Sequence, residues 1–456
     1  MNEEMKHLYD AIVRLMQERR FAKLRELLVD TRPVDIAEAM EEMAEEDPQN
    51  TILVFRLLPK DLAAEVFSHL PAPEQRSIMD ALHDHQLKNI IEELNFDDKI
   101  DLLEELPANM VKRILLNVTE EERAMINQFL NYPEDSAGSL MTIEYIDLKK
   151  EMSVAEALQH IKITGVDKET IYTCYVLDET RKLEGIISLR KLVLSEPDVA
   201  IGDIMDEDLI AATTWDDQEE VAEIFKKYDL MTLPVVDREG RLVGIITIDD
   251  IVDVIEQENT EDFEKMAALL PDEQEYLDAG ILSMAQKRIP WLLILMISAT
   301  FTGSIISRYE DVLQAVVVLA AAIPMLMDTA GNAGNQSSTL VIRGIALGEI
   351  ELDDYLRVLW KEFRISILVG LMLGLVNLVR MLLIVETSFL VAVTVSFTLS
   401  MTVMLAKLFG GLMPIIAKKM KVDPAIMAGP LITTIVDAMA LIVYFNMASL
   451  ILGLHR

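Results

Sequence analysis

Along the first 130 residues, apolar positions recur at spacings of three and four, as in Leu62, Val66, Phe67 and Leu70. That is the period of one face of a short amphipathic helix. Leu58-Pro59, Leu70-Pro71 and Leu106-Pro107 punctuate the pattern, because the residue before a proline is driven out of helical backbone. Breaks of this kind predict a stacked, superhelical array of short helices over residues 1 to about 133. From about 138 to 258 the period changes to that of short strands. From residue 287 onward long apolar runs take over, and five are long enough to cross a bilayer: about 289–307, 312–342, 365–385, 389–417 and 425–452.

The strand-rich stretch repeats itself. Tyr172–Val193, YTCYVLDETRKLEGIISLRKLV, aligns without gaps onto Met231–Val252, MTLPVVDREGRLVGIITIDDIV, matching Asp178 to Asp237, Leu183 to Leu242 and Gly185 to Gly244. Each copy reads as strand, polar turn, strand and helix start. Upstream, VAEAL at Val154–Leu158 and VAEIF at Val221–Phe225 begin helices. Each copy opens with a Met-centred tetrapeptide, SLMT at Ser139–Thr142 and DIMD at Asp203–Asp206.

Polar positions inside the apolar runs carry the chemistry. Ala425–Gly453 is 29 residues with a single charge, Asp437, near the middle of the span. A carboxylate there costs about 2.5–3.5 kcal/mol on insertion scales. Thr433 and Thr434 precede it by one turn, and Pro430 by two. Intramembrane carboxylates line ion paths or join packed helices, and the pore reading leads. The second span holds Pro324, Gly331 and Gly334 with Asp328, Asn332, Asn335, Gln336, Ser337 and Ser338. Irregular, polar backbone at that depth is tolerated where it lines a water-filled cavity, so this segment is expected to break and to supply a second lining element. Arg380 and Lys407 lie nearer span ends, where snorkelling accounts for them.

Charge divides the chain. The 456 residues combine mean hydropathy +0.27 with a net charge of -35. Residues 287–456 hold 13 Lys and Arg against 11 Asp and Glu, a net of +2, leaving 28 against 65, a net of -37, for residues 1–286. Such an acidic half argues against nucleic acid and favours multivalent cations. Asp249, Asp250, Asp253, Glu256, Glu258, Glu261 and Asp262 crowd fourteen residues without a basic one, and Asp97 and Asp101 share a helix face. Both are either solvated acidic faces or sites for hard cations, which take carboxylate oxygens. Cys174 is the only cysteine, which excludes internal disulfides and thiolate clusters. The N-terminus, MNEEMKHLYD, has no apolar signal region. Basic residues alternate between loops: Lys287 and Arg288, then Arg343, Arg357, Lys361 and Arg364, then Lys418, Lys419 and Lys421. Their alternation predicts a cytosolic N-terminus and an outside C-terminus.

The repeat resembles a tandem pair of CBS modules, with the G-h-h-S/T-x-x-D run as signature. That family often holds an adenine nucleotide by the Ser/Thr and Asp. Thr247 and Asp250 match in the second copy, but Lys191 follows Ser188 where Asp would stand in the first, a departure that weighs against a nucleotide. The whole order of acidic helical N-domain (1–133), CBS copies (138–200 and 201–258), plug helix (259–286) and five-helix transmembrane domain (287–456) is similar to the MgtE family of magnesium channels. The run P-x-x-x-D-T-x-G-N-x-G-N-Q and Asp437 carry that resemblance.

The resemblance implies a homodimer in the cytoplasmic membrane, with one pore between second and fifth helices and Mg2+ at Asp437. It implies closure by cytosolic Mg2+ at Glu65, Asp97 and Asp101 of the N-domain and at Glu219, Asp229, Asp250, Asp253, Glu258, Glu261 and Asp262 of the CBS pair and plug. It assigns Asp328 no fixed role. Where relatives can carry Asn before the proline of the fifth helix, this chain has Gly429. The rivals are a CBS-regulated transporter of another divalent cation or of an anion, and an intramembrane metalloprotease. The protease lacks its HExxH motif, since no histidine lies in a span, so no enzyme is expected.

Overall fold

Each copy of the repeat folds as a three-stranded sheet because its β-branched runs are interrupted by a two-strand turn at Asp178 or Asp237. The strands are β1 (Ile146–Leu148), β2 (Thr173–Leu177) and β3 (Leu183–Ser188), then β4 (Ala212–Thr213), β5 (Thr232–Val236) and β6 (Leu242–Thr247). In both sheets the first strand is parallel to the second and the second antiparallel to the third. Val176 faces Gly185 in one and Val235 faces Gly244 in the other, so the sequence repeat is a repeat of register. The Met-centred tetrapeptides are exchanged. Thr142 bridges Ile245 of the second sheet, and Asp206 bridges Ile186 of the first. A side chain at Gly244 would collide with Thr142 O at 2.7 Å, and one at Gly185 with Met205 Sδ at 2.6 Å. The tetrapeptides expected to open each copy therefore complete the opposite one.

This computed structural model describes residues 3–115, 118–271, 276 and 279–453. The chain divides into two units, Met1–Ile255 and Glu256–Arg456. In the first, several of the short helices over residues 3–129 contact the next but one. Their core is continuous with that of the second CBS copy, joining Phe96, Ile100 and Phe129 to Phe225, Val235 and Ile246. Helix α1 (Phe96–Glu105) carries the FDDKID run, and helix α2 (Ile248–Met266) carries the acidic run. The connecting segment expected over 259–286 is helical to Met266; residues 272–275 and 277–278 of it lie outside the described residues.

In the second unit the long helices are α3 (Ile281–Arg308), α4 (Val318–Ala346), α5 (Tyr355–Leu383), α6 (Phe389–Lys419) and α7 (Gly429–Leu452). Among the described residues, four helices are apolar enough along a continuous stretch to cross a membrane, and α4 is not one of them. Its polar run lowers its hydropathy. The expected break in α4 does not occur, since the helix is continuous through Pro324, Gly331 and Gly334. Those small residues lie against α6 and α7, where close backbone approach replaces side-chain filling. A side chain at Gly410 of α6 would sit 2.1 Å from Gly334 O, which fixes glycine at this crossing.

Candidate cation site

Asp437 stands two turns into α7, half-buried. Gly331 leaves room for it on α4, because a Cβ there would lie 3.5 Å from Asp437 Oδ1 and 3.3 Å from Thr433 Cγ2. The charged group that acts on Asp437 is Asp328. Asp328, Asn332 and Gln336 follow one another at four-residue spacing along an exposed stripe of α4, and Asn332 Nδ2 donates to Asp328 Oδ1 at 3.1 Å. Thr433 and Thr434 donate their hydroxyl protons to Pro430 O, at 3.0 and 2.8 Å. Each hydroxyl oxygen then keeps acceptor capacity. The stripe offers carboxylate, amide and hydroxyl oxygens, the donor set of a hard cation and its water shell.

Asn335 faces elsewhere than a free lining residue would. Its Oδ1 accepts from Gly429 N at 2.8 Å, and Ser338 Oγ donates to Met427 O at 2.6 Å. Together they tie the start of α7 to α4. Gly429 takes a left-handed φ of +47°, and a Cβ on it would meet Met266 O at 2.3 Å. The end of α2 therefore occupies the space that a side chain at this position would take. Lys265 of α2 holds Asp423 Oδ2 and Glu261 Oε1, each at 2.7 Å. Burial acts to lower the Lys265 ammonium, but those two hydrogen bonds hold it raised. Asp262 beside it is raised by burial and then by Asp423.

A second acidic site forms within the first unit. Asp97, Asp101, Asp250 and Glu169 are pushed up to about 7, and Asp98 up to about 6, by loss of surrounding water and then by neighbouring carboxylates. For Asp101, Asp97 and Asp250 are the first neighbours to add to the effect of burial. No Lys or Arg is among the principal groups acting on these five. Glu169 Oε2 is buried without a hydrogen-bond partner. Asp249 and Glu144 also act on Asp98 and Glu169. Among the described residues no three His, Cys, Asp or Glu side chains are arranged to hold a metal ion directly.

The other sensor candidates are dispersed. Glu65 is exposed on helix Lys60–Ser68, Glu219 opens helix Gln218–Tyr228, and Asp229 ends it with a left-handed φ of +50°. None is among the principal charges acting on the cluster. Asp253 is exposed on α2, with Glu258, Glu261 and Asp262 further along it. Asp98, Glu144 and Glu169 were missed from sequence. Asp98 adjoins Asp97 in the same run, but Glu144 and Glu169 lie in loops with no periodic signal. At the CBS signature, Thr247 Oγ1 donates to Asp250 Oδ2 at 2.9 Å, while Ser188 Oγ accepts from Lys191 N at 3.2 Å.

A helical bundle with a carboxylate on an apolar helix, joined through an acidic helix to paired CBS-type sheets, is the build of a membrane transporter for a hard cation. Residues 323–447 match the divalent cation transporter domain of the MgtE family, residues 31–135 the MgtE intracellular N domain, and residues 137–196 and 201–257 the CBS domain. The chain is 38 % identical over 441 residues to the magnesium transporter MgtE of Thermus thermophilus, covering 96 % of this chain and 97 % of that protein. It is 33 % identical over 438 residues to the magnesium transporter MgtE of Bacillus subtilis, covering 96 % of each. The cytosolic domain of the Mg2+ channel MgtE, solved in complex with ATP, covers 54 % of this chain and 99 % of that one, at TM-score 0.51 and 38 % identity. The chain belongs to the MgtE family of divalent cation transporters, and is a multi-pass membrane protein and no enzyme.

Proposed function

We propose that this protein is a Mg2+ channel of the cytoplasmic membrane, importing the ion past Asp437 and closing when cytosolic Mg2+ rises. The observation that carries the reading is the carboxylate of Asp437 seated against Gly331, beside the exposed stripe of Asp328, Asn332 and Gln336. Mg2+ dehydrates reluctantly and is held by one or two carboxylates plus waters. Two copies of Asp437 about a dimer axis would supply that pair, with amide and hydroxyl oxygens orienting the water shell. The names of the relatives, magnesium transporters at 38 % and 33 % identity, support Mg2+ as the substrate.

The gate follows from the carboxylates. With little Mg2+, ionised Asp97, Asp98, Asp101, Glu169 and Asp250 repel one another, and α1 separates from the second CBS copy. Bound Mg2+, keeping much of its water, bridges them through shared oxygens. Helix α2 begins at this cluster with Asp249 and Asp250 and ends at Lys265 and Met266 beside Gly429. Ion binding at its start would thereby bias the far end of the same helix. Glu65, Glu219, Asp229, Asp253, Glu258, Glu261 and Asp262 would extend the acidic field that binds regulatory ions. The five-span count includes α4 as a polar, protein-enclosed span, the N-terminal helices stack as a superhelix, and basic loops put the N-terminus in the cytosol. The ATP complex of the related cytosolic domain supports a nucleotide at the Thr247–Asp250 copy.

Purified full-length protein in liposomes tests this. Mg2+ uptake should occur with wild type and be lost with Asp437→Ala; unchanged uptake in that variant refutes the pore. A second reading, another divalent cation as the main substrate, rests on the same oxygen set and is separated by competition among Mg2+, Mn2+ and Ca2+ in that assay.

A further inference from the structure

Behind the stripe, α4 is held by buried charge. Ser337 Oγ donates to Glu362 Oε2 of α5 at 2.6 Å, and Lys407 Nζ of α6 donates to Ser337 Oγ at 3.4 Å. Ser337, Lys407 and Glu362 are 0, 5 and 7 % exposed, so Lys407 does not snorkel. Glycines make the space. Gly334 and Gly410 meet backbone to backbone one turn away from Ser337 and Lys407, and a Cβ at Gly411 would lie 3.0 Å from Glu362 Cγ.

We propose that Glu362 and Lys407 are positioning residues for permeation: through Ser337 they set the rotation of α4 and thereby hold Asp328 and Asn332 beside Asp437. This rests on the pore reading above. At 100° per residue, Asp328 lies half a revolution around α4 from Ser337, in keeping with one being exposed and the other fully buried. A rotation of α4 that released Ser337 would swing the stripe away from α7. Small-residue contacts already bring the helices together, as where Ser400 Oγ donates to Gly370 O at 2.7 Å. Formal charges are not needed for adhesion. Their cost is offset in one arrangement only, which selects that rotation over its neighbours.

The test uses full-length protein in liposomes: Glu362→Gln, Lys407→Met, the double variant, Ser337→Ala and, as control, Asp437→Ala. Uptake of Mg2+ and of Ca2+ is measured per folded protein. Each single anchor variant strands one buried charge and should lower Mg2+ uptake by about tenfold. It should also lower the Mg2+ to Ca2+ ratio by about threefold, because the oxygens are misplaced. The double variant, with no charge left unpaired, should recover wild-type thermal stability but keep the lowered ratio, because nothing then selects that rotation of α4. If the single variants aggregate, Ser337→Ala should still lower the ratio. An unchanged ratio in the folded variants, or a double variant with the wild-type ratio, overturns the proposal. Normal anchor variants beside an inactive Asp437→Ala refute the anchor alone, whereas full uptake by Asp437→Ala refutes the pore reading itself.

Discussion

Asp437 is a group that α7 carries at a cost, since a carboxylate in a membrane helix opposes insertion by about 2.5–3.5 kcal/mol. Asp437→Ala should therefore hold or raise the melting temperature while Mg2+ flux falls by about a hundredfold, the equivalent of one ion–carboxylate interaction of about 3 kcal/mol. Thermal unfolding and radiotracer-free Mg2+ uptake on the same preparation check both. In the proposed gate, Lys265 anchors the end of α2. Its pairs with Asp423 and Glu261 are partly exposed, so together they contribute about 1 kcal/mol. Lys265→Gln should raise the Mg2+ concentration for half-closure by about fivefold. Asp437 was legible because it is the one charge in a long apolar run. Lys407 was misread because distance along a helix does not tell which way a side chain points, and Glu362 lay in a stretch read as loop.

At the scale of elements, α4 is where pattern and structure diverge. Proline and glycines suggest a broken segment lining a cavity, but α4 is a continuous helix with one face packed on α6 and α7, and its glycines serve close approach to them. Gly410→Ala would force Gly334 and its neighbours apart and should destabilise the bundle by about 1–3 kcal/mol, as overfilling does, seen as a lower melting temperature in detergent. Gly429→Ala would combine left-handed backbone with a collision at Met266 O. It should loosen the end of α2, read as faster hydrogen exchange over 259–266. The antiparallel pair of each repeat was legible from the alignment of Gly185 with Gly244, whereas the short parallel strands β1 and β4 were not. The exchange of Met141 and Met205 between sheets was not, because chain order says nothing about which copy a tetrapeptide joins.

For the whole molecule, the split of charge into a -37 portion and a +2 portion announced an acidic regulatory half on a membrane domain. The pairing of α1 with the second CBS copy was written only as acidic faces on separate helices. The carboxyls of that cluster titrate near 6 to 7 in the fold against about 4 when unfolded. A raised acid stabilises the fold only while protonated. The contribution is present below about pH 4 and is lost as pH rises through about 7. In EDTA, protection of 96–105 against hydrogen exchange, corrected for intrinsic rates, should fall by about tenfold or more from pH 5 to pH 8. Mg2+ should restore it at pH 8.

The central claim, that one chain holds a Mg2+ path at Asp437 and a gate closed by the same ion, is tested most directly by patch-clamp recording of the reconstituted protein. Mg2+ is the only permeant cation, and its concentration on the cytosolic side is stepped from micromolar to about 10 mM, a range in which weak carboxylate sites for hard cations fill. The account predicts currents that close as Mg2+ rises on that side and that are absent in Asp437→Ala. Currents indifferent to that Mg2+, or an unaltered conductance in the variant, would contradict it.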